Sequence, residues 1–415
     1  MSAHPIATAE QHAHELQAMD LAEHPVVKEA YGMVREHWLQ EMNPTPAMRA
    51  CFDWAFDEVM FSAAIWSSNR DPLRPQVICI TRLAHPVQGR PVRGSRWGID
   101  NPDSIYRVIP ICGAERYRIH GRVAPRRMTE NYFTLWDAKM NTVDVLSGHD
   151  LALNDDRTFT ITVDSSSADG RPNHVRSSPA AHEFYIRDVM LDWAQDEPND
   201  LRIERVGGSA VTPPKTLDEQ AQLTAEFMLR YANFTLGLSR RTLGRSANEF
   251  ALAYSADQGG ALRNQFYSSG HFRLDEDEAF VVHVNDGGAA YFVVPLANVW
   301  GTTMDIVGRT SSLNKAQATP NADGTYSFVL CPQDPGVHNW LDTCGMREGM
   351  LTLRLAEFAG RQRRDDLAAR GEVVKLARLR DTLPAGTHWI TFEARARQCQ
   401  DRAAAYMRRL PELQL

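Results

Sequence analysis

One loop in the C-terminal half of the chain concentrates side chains suited to acid–base chemistry. Asp334-Pro-Gly-Val-His-Asn-Trp-Leu-Asp342 contains an imidazole, an amide, an indole and two carboxylates. The His338 imidazole is the type of group that exchanges a proton near neutral pH, and Asp342 is suited to orient it. Arg354, further along the chain, is suited to hold a carboxylate or a developing oxyanion. The sequence therefore predicts a catalytic group of His338, Asp342 and Arg354.

Four further side chains are candidates for holding a substrate beside these three. Trp340 could provide an apolar wall for a ring-bearing ligand, and Asn339 lies next to it in the same loop. Tyr291 belongs to an aromatic pair on a predicted strand that could line a hydrophobic cavity. Asn314 completes the set, which we predict to be the substrate-binding residues.

A purely structural role for the same loop stays open. Pro335-Gly336 is a favourable turn, Asn339 could cap the loop backbone and Trp340 could fill the core. Arg354 could pair with Asp342 only to hold the loop in place. His338 and Asp342, with Asp334 or His283, could also contribute to a metal site, but nothing in their spacing requires one. We predict neither a metal nor a cofactor.

The usual catalytic motifs are absent from the sequence. It contains no G-x-S-x-G, no phosphate-binding loop, no H-E-x-x-H and no zinc-type cysteine spacing. A nucleotide-dependent kinase, a zinc protease of that type and a typical serine esterase are therefore disfavoured. A site built from dispersed residues remains compatible with the sequence.

Composition limits the partners and the compartment. The 415 residues carry a formal net charge of −7, which disfavours nucleic acid as a partner. No signal-peptide pattern is present at the start, and no apolar run approaches the roughly 18 residues that span a bilayer. The six cysteines are scattered, as expected for reduced thiols. We predict a cytoplasmic protein, bound to no membrane, whose partner is a small molecule.

An internal repeat is the strongest signal for the fold. At an offset of 167 residues, the segment 156–163 aligns with 323–330 and the segment 184–187 aligns with 351–354. Each copy has an alternating strand, a long loop and a second strand that carries an arginine. Short strands with long connections favour antiparallel sandwiches. We predict an α+β fold with two antiparallel jelly-roll-like β-domains and N-terminal, linking and C-terminal helices.

The predicted boundaries follow composition and turn signals. Residue patterns divide the chain into a helical N-terminal region at 1–74, a first β-sandwich at 75–208, a helical linker at 209–277, a second β-sandwich at 278–360 and a basic helical tail at 361–415. The linking helix should begin at Thr216, which forms a capping box with Glu219. The tail has 12 basic and 7 acidic residues, and we interpret it as a solvated helix. Homo-oligomerisation is expected from the sandwich edges and helical appendages.

Several motifs resemble a largely uncharacterised bacterial family. The first copy contains Asn101-Pro-Asp-Ser-Ile-Tyr106, and the second contains Asp334-Pro-Gly-Val-His-Asn-Trp-Leu-Asp-Thr-Cys-Gly345. Together with the ending at 373–384, they resemble the family catalogued as domain of unknown function 1214, often found with domain of unknown function 1254. That resemblance implies jelly-roll-like β-domains with helices and implies no established reaction.

Three kinds of function are compatible with these patterns. The first is an enzyme that acts on a small, largely apolar metabolite by acid–base hydrolysis or elimination. The second is a non-catalytic protein that binds a small molecule or glycan. The third is an assembly protein, a hypothesis that rests only on the similarity of the predicted jelly-roll domains to those of viral capsids. We rank the enzyme first and assembly last.

Overall fold

Helices flank and separate two groups of strands in the computed structural model. It describes residues 4–96, 98–207, 212–250, 252–254, 265–358 and 365–414. The α-helices of these ranges are α1 (Ala9–Glu23), α2 (Pro25–Met42), α3 (Pro46–Arg49), α4 (Phe52–Ser68), α5 (Leu217–Leu243), α6 (Leu379–Thr382) and α7 (Phe392–Met407). The linking helix α5 begins after Thr216 with the predicted capping box.

The first group of strands runs from the end of α4 towards α5. Its members are β1 (Ile78–Cys79), β2 (His85–Val87), β3 (Arg90–Val92), β4 (Ser104–Pro110), β5 (Tyr117–Arg122), β6 (Glu130–Asp137), β7 (Thr142–Ser147), β8 (Thr158–Asp164), β9 (His174–Arg176), β10 (Ala181–Val189) and β11 (Asp200–Arg205). A five-stranded sheet of order β1-β4-β10-β6-β7 faces a four-stranded sheet of order β11-β5-β8-β9, and β2 pairs with β3. The core between the two larger sheets includes Phe133, Phe159 and Phe184.

The second group of strands repeats this arrangement. Its members are β12 (Ala253–Tyr254), β13 (Phe266–Arg273), β14 (Glu278–Asn285), β15 (Ala289–Ala297), β16 (Ser312–Asn314), β17 (Tyr326–Cys331), β18 (Trp340–Asp342), β19 (Glu348–Phe358) and β20 (Ala368–Lys375). The larger sheet has the order β12-β13-β19-β15-β16 and the smaller has β18-β17-β14-β20. Each strand occupies the place of its counterpart in the first sandwich, as the repeat predicts.

The predicted α+β fold with two β-sandwich domains is confirmed. In each sandwich the pairs are antiparallel except one, β8 with β9 and β17 with β18. The second sandwich extends beyond the predicted range 278–360, because β12, β13 and β20 belong to its sheets. The inward positions of β13 include Ser268 and Gly270. Because these small residues are not hydrophobic, the sequence of β13 lacks the alternation that predicts a half-buried strand. A Cβ at Gly270 would lie 2.8 Å from Phe250.

The outer face of the first sandwich's larger sheet is covered by helices. Trp136 and Tyr185 of that face share a core with Trp66 of α4 and Tyr231 of α5. The same face also meets the larger sheet of the second sandwich, where Val189 packs among Tyr291, Val293 and Ala356. The outer face of this sheet therefore packs against the helices in one part and against the second sandwich in another. In the described part of the chain, no helix is long and apolar enough to cross a membrane.

The end of the chain is fastened to α1 and to the segment after β1 by buried charges. Glu412 accepts hydrogen bonds from the Arg82 guanidinium at 2.7 and 2.8 Å and lies 2.7 Å from the His12 ring. Arg82 also pairs with Glu15 at 2.8 Å, and both side chains are buried. Burial opposes ionisation of Glu412, but the Arg82 charge overcomes it and lowers the pKa of this carboxyl to about 2.

Acid should therefore weaken this attachment. Because the folded pKa of Glu412 lies below its unfolded value of 4.5, its contribution is present above pH 4.5 and is lost as the pH falls towards 2. Linkage sets an upper limit of about 3 kcal/mol on this contribution, and solvent screening of the partly exposed carboxylate reduces it. Urea unfolding at pH 6, 4.5 and 3 measures it. Glu412→Gln should show a smaller loss between pH 4.5 and 3, and equal losses in the two proteins would contradict the assignment.

Candidate functional site

The predicted loop lies at the smaller sheet of the second sandwich, and two of its residues hold the fold. Trp340 begins β18, is 7% exposed and donates to the Cys331 carbonyl at 2.9 Å. The Asn339 amide donates to the Thr319 carbonyl at 2.7 Å and accepts from the Thr319 amide at 2.8 Å. Their polar atoms are thus occupied by the backbone, as the structural interpretation of this loop expects.

Asp342 is not the partner of His338. Its carboxylate lies 2.9 Å from Arg309 and accepts from the Cys344 amide at 2.7 Å. Asp342 ends β18 whereas His338 precedes that strand, so the extended backbone separates the two side chains. The pair that the sequence predicted does not form.

Arg354 lies on a different sheet and points away from the loop. It belongs to β19 of the larger sheet, and its guanidinium donates to the Ile99 carbonyl at 2.5 Å and to the Tyr106 hydroxyl at 3.5 Å. Both partners are in the first half of the chain. The predicted group of His338, Asp342 and Arg354 is therefore divided between two surfaces.

Tyr291 and Asn314 do come together, at a buried carboxylate. Tyr291 donates to Asp103 Oδ2 at 2.8 Å, and Asn314 donates to Asp103 Oδ1 at 3.0 Å. The Trp193 indole also donates to Oδ1, at 2.8 Å. Burial raises the pKa of Asp103 while these donors lower it. The two residues predicted to bind substrate thus join the sandwiches through the Asn-Pro-Asp motif.

Of the predicted catalytic residues, His338 lines a cavity that Asp342 and Arg354 do not reach. This cavity of about 280 Å³, which we call the α7 cleft, lies between α7, the loop after β10, the region around β16 and the loop before β18. Its apolar lining consists of Leu191, Trp193, Ala194, Leu313, Ala316 and Ala405. Its polar lining consists of Asp192, Thr310, Gln317, His338, Gln398, Asp401 and Arg402.

The cation of the α7 cleft is Arg402. It is 6% exposed, and its guanidinium lies 4.2 Å from the centre of the Trp193 ring. It donates to the Ile306 carbonyl at 2.6 Å and to Gln317 at 2.9 Å, and no carboxylate of the described residues pairs with it. Burial lowers the pKa of Arg402 to about 10, so the group stays charged at pH 7. An anion in the cleft would find a cation that forms no ion pair with a described side chain.

His338 is half-buried and uncharged near neutral pH. Burial lowers its pKa, the hydrogen bond to Asn339 opposes that shift, and the charges of His388 and Arg395 add to it. Nδ1 lies 3.2 Å from the Thr319 hydroxyl, and Nε2 lies 3.4 Å from the Gln398 amide nitrogen. The ring stacks on His388 with centres 5.0 Å apart. A neutral imidazole held in this way can accept a proton.

Helix α7 positions two polar side chains of the cleft, those of Gln398 and Arg402. Gln398 and Arg402 are four residues apart, which puts them on one face of the helix. Arg395, Arg402 and Arg409 follow at seven-residue spacing and are all buried. Arg395 holds Asp334 at 3.0 Å, and Arg409 donates to the Pro102 carbonyl at 2.8 Å. The interpretation of the tail as a solvated helix is therefore wrong for residues 392–409; its first residues, 361–364, lie outside the described ranges.

Acidic groups mark the rim of the cleft. Asp401 is exposed and forms no ion pair with any described residue, whereas Asp192 pairs with Arg126 at 3.0 Å. Asp401 therefore adds a negative charge to the lining of the cleft, which disfavours highly charged anions. In the ranges that the structure covers, no three His, Cys, Asp or Glu side chains are grouped to hold a metal ion.

Another cavity lies among the N-terminal helices. Its volume is about 260 Å³, and Val27, Tyr31, Met60, Phe61 and Met228 contribute to its wall. Its central polar groups satisfy each other, because the Tyr31 hydroxyl donates to Asp57. We therefore regard the α7 cleft, with its unneutralised cation and neutral imidazole, as the better candidate site.

Sequence reasoning missed Arg402, Gln398 and Trp193. The sequence around Trp193 does not indicate that this residue lines a site, because its role depends on contact with a helix more than 200 residues away. The seven-residue spacing of Arg395, Arg402 and Arg409 was the available signal, since such spacing places side chains on one helix face.

Comparisons with known proteins support the fold alone. No family model matches the chain, and no curated protein matches it either. An uncharacterised protein from Burkholderia cenocepacia has a similar crystal structure, with a TM-score of 0.73 and 24% identity over 89% of this chain and 99% of that one. A Vibrio parahaemolyticus protein aligns with a TM-score of 0.41 and 10% identity over 67% of this chain and 90% of that one. The resemblance to domain of unknown function 1214 stays a prediction.

Proposed function

We propose that this protein is an enzyme that acts on a small, largely apolar carboxylate in the α7 cleft. The observation that carries the proposal is the meeting of a buried, unneutralised arginine and a neutral histidine in a cavity of about 280 Å³. Pockets of this kind, mostly apolar with a few convergent polar groups, are typical of small-molecule sites.

Arg402 supplies the anchor for the ligand. Its terminal nitrogens carry two hydrogens each, and Gln317 and Ser312 each accept from one of these nitrogens. A hydrogen therefore remains on each for a carboxylate, which a guanidinium binds through charge-assisted hydrogen bonds. Trp193, Leu313 and Ala405 offer apolar surface to the rest of the molecule.

His338 supplies the proton acceptor. Its lowered pKa leaves the imidazole uncharged at pH 7, so it can take a proton from water in a hydrolysis or from a substrate carbon in an elimination. Both reactions begin with this proton transfer to His338, and the residues that line the α7 cleft are compatible with both. A binding protein without turnover is the alternative, and it would bind the same ligand through Arg402 without forming a product.

Arg402→Gln tests the anchor. A library of small carboxylates is screened by thermal shift, and the dissociation constants of the strongest hits are measured for both proteins. Because hydrogen bonds to a charged group contribute about 1.5–3 kcal/mol, we expect affinity to fall roughly 10- to 150-fold.

Arg397→Gln is the matched control, because Arg397 is exposed on the same helix. It changes the net charge equally and should leave affinity unchanged. Equal affinities in wild type and Arg402→Gln would remove the cleft as the site, provided that both proteins show the same unfolding midpoint without ligand.

We also propose that the protein is located in the cytoplasm. All six cysteines are free thiols, which supports a reducing compartment such as the cytoplasm. Homo-oligomerisation stays a prediction from the sequence, and sedimentation velocity would give the number of subunits.

A further inference from the structure

Two arginines at equivalent places in the repeat face the junction between the sandwiches. Arg187 of β10 lies opposite Tyr106 of β4, and Arg354 of β19 lies opposite Tyr267 of β13. Both project from the outer faces of the larger sheets, next to the contact of Val189 with its neighbours from the second sandwich. The repeat thus brings two guanidinium groups to one interface from two directions.

Arg354 has no acidic partner there. Its guanidinium reaches the Ile99 carbonyl, the Tyr106 hydroxyl and the face of Tyr267, 5.7 Å from the ring centre. No carboxylate of the described residues lies within ion-pair distance, and its Nε has no hydrogen-bond partner among them. A buried cation of this kind needs an anion or a polar group to compensate it.

Glu130 adds a buried carboxyl group to the same cluster. It is 2% exposed, and one oxygen accepts from Gln265 while the other has no hydrogen-bond partner in the described ranges. Burial and the neighbouring Glu357 raise the pKa of Glu130 to about 8, although Arg187 and Arg354 oppose that shift. At pH 7 it is therefore a neutral hydrogen-bond donor.

The same two guanidinium groups also act on the Tyr267 hydroxyl. Glu130 and Tyr267 are thus both within electrostatic reach of Arg187 and Arg354 together. Burial raises the pKa of Tyr267, so its hydroxyl keeps its proton, which it donates to Gln265. Arg187 and Arg354 are thus two cations near Glu130, the one neutral donor of the cluster with an unpartnered oxygen in the described ranges.

We propose that Arg187, Arg354 and Glu130 form a second binding site, separate from the α7 cleft, for the oxyanion group of a small molecule. Guanidinium groups bind carboxylate and phosphate-like oxygens through paired hydrogen bonds, and the protonated Glu130 donates a further one. While Glu130 keeps its proton, two guanidinium groups and one acidic side chain, Glu357, act on this position, and an added oxyanion group is favoured there. An organic carboxylate and an inorganic oxyanion share this chemistry.

Sulfate and succinate are the probes. Sulfate keeps its charge between pH 6 and 9, and binding is measured by calorimetry at constant ionic strength. Arg354→Gln should weaken sulfate binding at least ~10-fold, because it removes a charge-assisted contact. Arg118→Gln, which removes an exposed arginine of β5, should leave it unchanged. Tighter binding of succinate than sulfate would identify an organic ligand.

The pH dependence provides an independent test if Arg354→Gln does not fold. Ionised Glu130 would compete with the anion, so wild-type affinity for sulfate should fall about fivefold from pH 8 to 9, as the protonated fraction of Glu130 falls. The isosteric Glu130→Gln cannot ionise and should lose that dependence. No sulfate or succinate binding by the wild type, equal affinity in Arg354→Gln, or the same pH dependence in Glu130→Gln would each overturn the proposal.

Discussion

Replacing Asp103 with alanine is expected to lower the free energy of unfolding by about 3–5 kcal/mol. Asp103 is fully buried and accepts from Trp193, Tyr291 and Asn314 at 2.8–3.0 Å. Alanine would leave three donors buried without an acceptor at the junction of the two sandwiches. Urea unfolding at pH 7 measures the change.

Asp103→Asn separates the loss of the charge from the loss of the acceptor. Its amide oxygen can still accept from Trp193 and Asn314, whereas the Tyr291 hydroxyl, which already accepts from Asn101 at 2.7 Å, loses the acceptor of its own proton. We therefore expect a loss of only about 1–2 kcal/mol. A loss below 1 kcal/mol in the alanine variant would show that this carboxylate does not hold the sandwiches together.

Replacing His338 with glutamine is expected to reduce turnover by about 10²- to 10⁴-fold, the usual contribution of a positioned acid–base group. The variant should keep its affinity for the ligand, because the carboxylate is held by Arg402. Steady-state kinetics on the substrate found by screening, together with the dissociation constant, distinguish the two effects. Binding with no turnover by the wild type would instead establish the non-catalytic alternative.

His37→Gln is the control for this substitution. His37 is exposed on α2 and does not line the α7 cleft, so turnover should stay unchanged. The wild-type rate should be constant above neutral pH and should fall in acid below pH 6.5, because the pKa of His338 is lowered from that value. A rate that does not change with pH on the acid side would contradict a histidine base.

The fold could be predicted because the two copies of the repeat share local sequence patterns. Strand alternation and turn residues at a common offset identify β8 with β17 and β10 with β19, and the topology follows the same correspondence. The boundaries of the second sandwich were harder to predict. The inward face of β13 carries small residues, and half of the residues of β20 are exposed, so neither strand shows the hydrophobic alternation of a half-buried strand.

The site could be predicted only in part, because its residues meet through tertiary packing. His338 was identified from its chemistry. Asp342 and Arg354, however, lie on different sheets of the sandwich, and sequence distance does not show on which sheet a strand will lie. Arg402 was missed because arginines on a helix are usually solvated, whereas this one stacks on Trp193 and donates to Ile306.

The most direct test is a crystal structure of the protein with the strongest carboxylate from the screen. The ligand should lie in the α7 cleft, with its carboxylate within hydrogen-bond distance of Arg402 and its reactive end facing the His338 ring. Density for that ligand among the N-terminal helices or between the sandwiches, with the cleft unchanged, would contradict the proposal that Arg402 and His338 form the functional site.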